Sequence, residues 1–205
     1  MKLKITFYTW LILLLLVLIT SSSQLSAQIR LEYTLSMSKP YTHYFEVETK
    51  VTGLKKDHID FLMPVWAPGS YLIRDFPKNV EFFKASDGSG NNLKFEKINK
   101  YTWRVYSNNA GEIKLTYDVY AYEVSVRTSF LDESPGYLNG TSIFMYIKDM
   151  KDLPSTLKII PYKEWKKVST GLEPVNGEKF TFSSPNYDIL ADSPIEIGNQ
   201  DIINF

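Results

Sequence analysis

Any hydrolytic or metal chemistry in this chain would have to start from two histidines, His43 and His58, because there is no cysteine. Zinc needs clustered nitrogen, sulfur or oxygen ligands. The two imidazoles are fifteen residues apart and are expected on different strands, and no H-E-x-x-H helix exists to present a pair one turn apart. A surface or hydrogen-bonding role is the expectation for both. Serines are plentiful, yet none sits in a G-x-S-x-G elbow. Two carboxylates could build a glycosidase, but 23 acidic residues make some close pair inevitable, so none stands out. There is no Gly-rich phosphate loop. The sequence thus points to no catalytic residue, no metal ligand and no cofactor of its own. Asn139-Gly140-Thr141 fits the glycan acceptor pattern, although an Asn-Gly turn accounts for the same residues.

The 23 acidic and 23 basic residues balance, and no basic stripe is present, so nucleic acid is not an expected partner. At the amino end, Lys2 and Lys4 precede ten uninterrupted apolar residues from Trp10 to Ile19, then polar Thr20 to Gln24 and Leu25-Ser26-Ala27. That order predicts a signal peptide over residues 1–27, cleaved after Ala27. A membrane-spanning helix wants roughly 20 apolar residues. Counting back to Ile5 gives fifteen here, diluted by Thr6, Tyr8 and Thr9. The expected product is soluble and exported, periplasmic or extracellular, with no stable membrane anchor. Lacking cysteine, it has neither a disulfide nor a thiol for a lipid. Residues 28–205 number 178, enough for one domain that buries about 70% of its unfolded surface. Fourteen tyrosines and twelve phenylalanines supply large areas for that core.

What would position any site is β-structure. Phe45, Val47, Thr49 and Val51 alternate with Glu46, Glu48 and Lys50, and Ile59, Phe61, Met63 and Val65 repeat the pattern. Leu115, Tyr117, Val119 and Ala121 alternate with Lys114, Thr116 and Asp118. These are half-buried strands. Ile143 to Ile147 is a continuous apolar run and predicts a strand covered on both faces. Leu157 with Ile159 and Phe180 with Phe182 are shorter candidates. Asp87 to Asn92 predicts a hairpin loop between strands near 80–85 and 93–97. Single helical turns fit only near Tyr162–Lys166 and Tyr187–Ala191. The fold class expected is all-β, a mostly antiparallel curved sheet or β-sandwich with very little helix.

Met63 to Phe76 is the densest motif. Pro64 and Pro68 cannot donate in a ladder, so the strand must end by Pro64. Pro68-Gly69 is a turn pair flanked by Trp66 and Tyr71, which predicts a structural corner with both rings largely buried. Arg74 beside Asp75 is expected to form a local pair holding that corner.

Trp66-Ala67-Pro68-Gly69-Ser70-Tyr71 with Ile73-Arg74-Asp75-Phe76 resembles the W-x-P-G-S-Y-x-x-R-[DE]-F signature of the glycyl aminopeptidase family of zinc metallopeptidases, peptidase family M sixty-one. Lys100 to Val105 is similar to its K-x-T-W-x-V strand, and Tyr117 to Arg127 to its Y-x-V-Y-A…S-V-R segment. Tyr137 to Phe144 resembles N-G-[TS]-S-x-F, and Asp192 to Gly198 resembles D-S-P-[IV]-E-x-G. The likeness runs in family order over about residues 31–198. It implies an N-terminal β domain ahead of a thermolysin-like catalytic domain, which would be its partner in cis and meet the peptide substrate. The family's H-E-x-x-H and downstream Glu have no counterpart here, so zinc is expected only in that catalytic domain. Trp66, Pro68, Gly69, Ser70, Tyr71, Arg74 and Asp75 are then structural or interdomain residues.

Two features of the residues motivate a substrate rim at Asn139, Gly140, Thr141 and Ser142, and the resemblance adds to them. Carbonyls and hydroxyls there suit an ammonium, and the apolar run that follows could pack on another domain. A central strand after an ordinary Asn-Gly turn explains the same residues. The alternative for the whole chain is a stand-alone secreted or periplasmic β-sandwich that binds peptide or glycan through its aromatics.

Overall fold

Strict alternation of apolar and polar residues puts one face of each strand into a core and leaves the other to water. The computed structural model describes residues 28–70, 72–201 and 203, so the expected signal peptide and Tyr71 lie outside the described residues. In chain order the strands are β1 (Arg30–Ser36), β2 (Tyr44–Thr52), β3 (Ile59–Leu62), β4 (Val80–Asp87), β5 (Phe95–Asn99), β6 (Thr102–Val105) and β7 (Glu112–Tyr120). There follow β8 (Phe130–Leu131), β9 (Gly136–Leu138), β10 (Tyr146–Ile147), β11 (Ser155–Ile160), β12 (Lys167–Thr170), β13 (Glu173–Pro174), β14 (Thr181–Ser184) and β15 (Ile195–Gly198). One short helix, α1 (Tyr187–Ala191), lies between the last two. The fold is all-β, as the alternation predicts.

A seven-stranded sheet in the order β13-β14-β11-β1-β2-β7-β4 forms the platform. Leu35, Val47 and Tyr117 stand side by side across β1, β2 and β7, as do Tyr33, Thr49 and Leu115, and all are buried. The opposite face carries charge, with Lys50 reaching Glu112 at 3.3 Å and Lys114 reaching Glu48 at 2.7 Å. β1 and β11 pair in parallel, an exception among otherwise antiparallel neighbours. Two four-stranded sheets, β10-β3-β6-β5 and β12-β15-β9-β8, accompany the platform. A bulge in β4 lets Phe83 turn inward, where it stacks on Trp103 of β6 and Tyr117 of β7 at 5.7 and 6.2 Å.

Four local expectations need correction. The turn at Asp87–Asn92 forms, but pairing stops at Leu93, and β4 and β5 enter different sheets. Tyr162–Lys166 is a single turn closed by Trp165 N to Tyr162 O at 2.8 Å, not a helix. His43 and His58 stand outside the strands. The largest difference is at Ile143–Ile147, where only Tyr146 and Ile147 are strand and Gly140–Ser142 is a turn of 3-10 helix. Ile143, Phe144 and Met145 are fully buried in irregular backbone. Buried peptide groups must be paired somehow, and here tyrosines replace the ladder. Tyr117, Tyr187 and Tyr33 donate to the carbonyls of Ile143, Phe144 and Met145 at 3.0, 2.7 and 2.7 Å.

Candidate functional site

The signature segment folds as the prolines dictate. β3 ends before Pro64, and Pro68-Gly69 turns with Gly69 at φ +70°, in the left-handed region that favours glycine. Ser70 N donates to Ala67 O at 3.0 Å, and Arg74 N closes the loop neck on Val65 O at 2.7 Å. Ala67 and Phe76 are buried and root the loop. Trp66 is half-buried rather than core, with Lys151 Nζ 4.6 Å from its ring centroid. The expected Arg74–Asp75 pair does not form. Arg74 Nη2 donates instead to Ser70 Oγ at 3.1 Å, and Asp75 is exposed.

This loop forms one wall of an open cleft of about 510 Å³, through Ile73, Arg74 and Phe76. The end of β7 with Ala121, Tyr122 and Glu123 also lines it, as do Ser129 and Ser142. Tyr122 rests against the His43 ring at 3.8 Å between centroids and against Phe130 at 5.2 Å. His43 Nδ1 is 2.7 Å from Leu131 O, and since a carbonyl only accepts, Nδ1 holds the proton. His43 is therefore a hydrogen-bonding residue that seats the cleft wall.

The signature segment and Asn139–Ser142, far apart in sequence, meet at this cleft through Arg74 and Asp75 on one part and Ser142 on the other. Asn139 N donates to Ser129 Oγ at 3.1 Å, and Asn139 Nδ2 reaches Val126 O at 3.3 Å. Thr141 Oγ1 donates to Asn139 Oδ1 at 3.2 Å, and Ser142 Oγ pairs with Asn139 O and Ser129 Oγ at 2.9 and 2.7 Å. Gly140 is required by a close approach: a Cβ there would lie 2.7 Å from Leu190 O. Thr141 and Ser142 are buried, and of the four residues Ser142 lines the cleft. The missed cleft residues are Tyr122, Glu123 and Ser129. Their only sequence signal is that they lie in or beside the Tyr117–Arg127 segment.

The other concentration of chemical groups is a cavity of about 580 Å³ lined by His58, Asp60, Arg104 and Lys148. Arg104 grips Asp60 through Nε at 2.7 Å and Nη2 at 2.9 Å, and those bonds hold the Asp60 carboxyl below its ordinary range. An acid so engaged is no general base. Among the described residues no three His, Asp or Glu side chains stand close enough to share a metal ion. What the first cleft presents is a mostly polar lining of hydroxyls, carboxylates and a guanidinium, with Ile73, Phe76 and Tyr122 among them.

The model of the Peptidase M61 N-terminal domain matches residues 32–199. Among solved structures, the aminopeptidase N family protein from Idiomarina loihiensis is 32% identical with a TM-score of 0.79. The alignment covers 87% of this chain and 30% of that one. The M1 zinc metallopeptidase from Deinococcus radiodurans is 12% identical at a TM-score of 0.47, covering 83% of this chain and 42% of that one. No curated protein matched. With the family model spanning most of its length, the chain belongs to the Peptidase M61 N-terminal domain family.

Proposed function

We propose that the chain is the exported, non-catalytic N-terminal β domain of a glycyl-aminopeptidase-like zinc metallopeptidase, and that it packs on the catalytic domain and flanks its substrate cleft. The observation that carries this is a set of exposed apolar side chains on the two chain segments that contribute to the 510 Å³ cleft. Ile73 lines the cleft and Leu72 adjoins it in sequence, 87% and 65% exposed, and Val124 and Val126, 83% and 79% exposed, fall in sequence between the lining residues Glu123 and Thr128. Several exposed apolar side chains beside one cleft mark a surface that another protein body covers. The chain spans 30% of the Idiomarina loihiensis protein, which leaves room for such a body in a relative of that length. In this proposal zinc and hydrolysis belong to the catalytic domain, peptide substrate is met through it, and Asn139 to Ser142 brace the rim beside the substrate amine. Export rests on the order of Lys2, Lys4, the Trp10–Ile19 run and Ala27.

A stand-alone peptide or glycan binder keeps one supporting observation, the half-exposed Tyr122 ring at the cleft mouth. Reading the gene beyond the Phe205 codon separates the two. An in-frame H-E-x-x-H within a few hundred codons is expected; a stop codon with no such frame overturns the proposal.

A further inference from the structure

Lys151 lies in the turn that follows β10, and its partly exposed ammonium rests against side chains from three separate parts of the chain. Nζ is 4.6 Å from the ring centroid of Trp66, 5.3 Å from Tyr146 and 6.0 Å from Tyr187. Asp188 Oδ1 accepts from it at 2.9 Å. Tyr146 and Tyr187 pack together at 4.8 Å, and Tyr187 N donates to Lys151 O at 2.7 Å, so backbone and rings are mutually braced. Aromatic faces beside a carboxylate are an arrangement by which proteins hold ammonium ligands. Here the ligand is part of the same chain.

We infer that Lys151 is the latch of the signature loop: by filling this cage it pins Trp66 to α1 and β10 and so sets where Ile73 and Arg74 stand at the cleft. The loop needs such a latch. Leu72 and Ile73 bury little, and between Ala67 and Arg74 the backbone bonds among the described residues are Ser70 N to Ala67 O and Arg74 N to Val65 O. Phe76 is buried at the far end of the loop, and Trp66, the other large ring of its described part, is only half-buried. Apolar burial alone therefore leaves it weakly held. A cation facing three rings supplies a directional restraint that a neutral side chain cannot. Lys151 is a positioning residue in this account and touches no substrate.

Hydrogen exchange of the 66–76 segment in the intact protein tests the latch. In Lys151→Ala this segment is expected to exchange between about twofold and fivefold faster, the range set by cation–π strengths at exposed sites, while β2 and β7 stay as in the parent. Lys151→Arg should keep parent rates, because a guanidinium also fills an aromatic cage. Millimolar n-propylammonium chloride should slow exchange in Lys151→Ala and leave the parent unchanged. Asp188→Asn, at the more exposed member of the cage, should shift the same segment in the same direction and serves if Lys151→Ala does not fold. Unchanged exchange of 66–76 in both variants overturns the inference. So does equal acceleration in Lys151→Arg, or acceleration spread evenly over β2 and β7.

Discussion

Tyr117 spans the buried Ile143–Met145 segment with both functions of one hydroxyl: its Oη donates to Ile143 O at 3.0 Å and accepts from Met145 N at 3.1 Å. One phenol thereby satisfies two peptide groups that no strand reaches. Tyr117→Phe should strand both, at a cost of about 1–3 kcal/mol for each unsatisfied buried group. Tyr33→Phe strands only the Met145 carbonyl and should cost less. Urea unfolding of the two variants checks the order, and an equal loss in both contradicts it.

The same three phenols predict how the domain fails in alkali. Burial raises the pKa of Tyr33, Tyr117 and Tyr187 above the ordinary phenol value. For a group whose folded pKa is raised, the contribution is full below the unfolded pKa near 10 and is lost as pH rises toward the folded value. Above pH ~10 the unfolded chain sheds protons that the native chain keeps, so stability should fall by about 4 kcal/mol per pH unit for three such groups. Tyr117→Phe should shallow that slope by roughly a third. Denaturant melts between pH 9 and 11.5 read it directly.

At the acid end the sign reverses. The Arg104 bonds hold the Asp60 carboxyl low, so its contribution is present above the ordinary carboxylate pKa and lost as pH falls through the folded value. Below pH ~4 the parent should lose stability faster than Asp60→Asn, whose side chain does not titrate. Parallel acid melts of the two proteins would show the pair to be inert.

Much of this was written locally and some could not be. Phe45 to Val51 and Leu115 to Ala121 read as strands because period-two burial is a property of neighbouring residues, and all their inward positions are buried. The corner at Pro64–Gly69 is legible because proline and glycine constrain their own backbone. Ile143–Ile147 is not. An apolar run looks the same whether a ladder or side chains satisfy its peptides, and its tyrosine partners lie 26, 43 and 112 residues away. Trp66 read as core for a similar reason, since Lys151 is remote in sequence and nothing local shows that a cation covers the ring.

The knot at Asn139 to Ser142 should prove structural in its first response to mutation. A methyl at Gly140 would meet the backbone at Leu190 O and Ala191 Cα, at 2.7 and 2.9 Å. Gly140→Ala should cost about 1–3 kcal/mol, as overpacking of a tight site does. Ser142→Ala removes bonds to Asn139 O and Ser129 Oγ and should cost on the order of 1–3 kcal/mol. Thermal melts of both variants check this, and unchanged midpoints would put these residues to some use other than holding the cleft.

The interdomain role is tested most directly by calorimetric titration of the protein with a separately produced catalytic domain of its own family bearing H-E-x-x-H. The parent should associate with it. The double variant Ile73→Asp with Val126→Asp should keep the parent's melting temperature, because both side chains are exposed, and lose at least about tenfold in affinity, as buried interface anchors do. No association by the parent, or equal affinity in the double variant, would contradict the docking of this cleft rim on a catalytic domain.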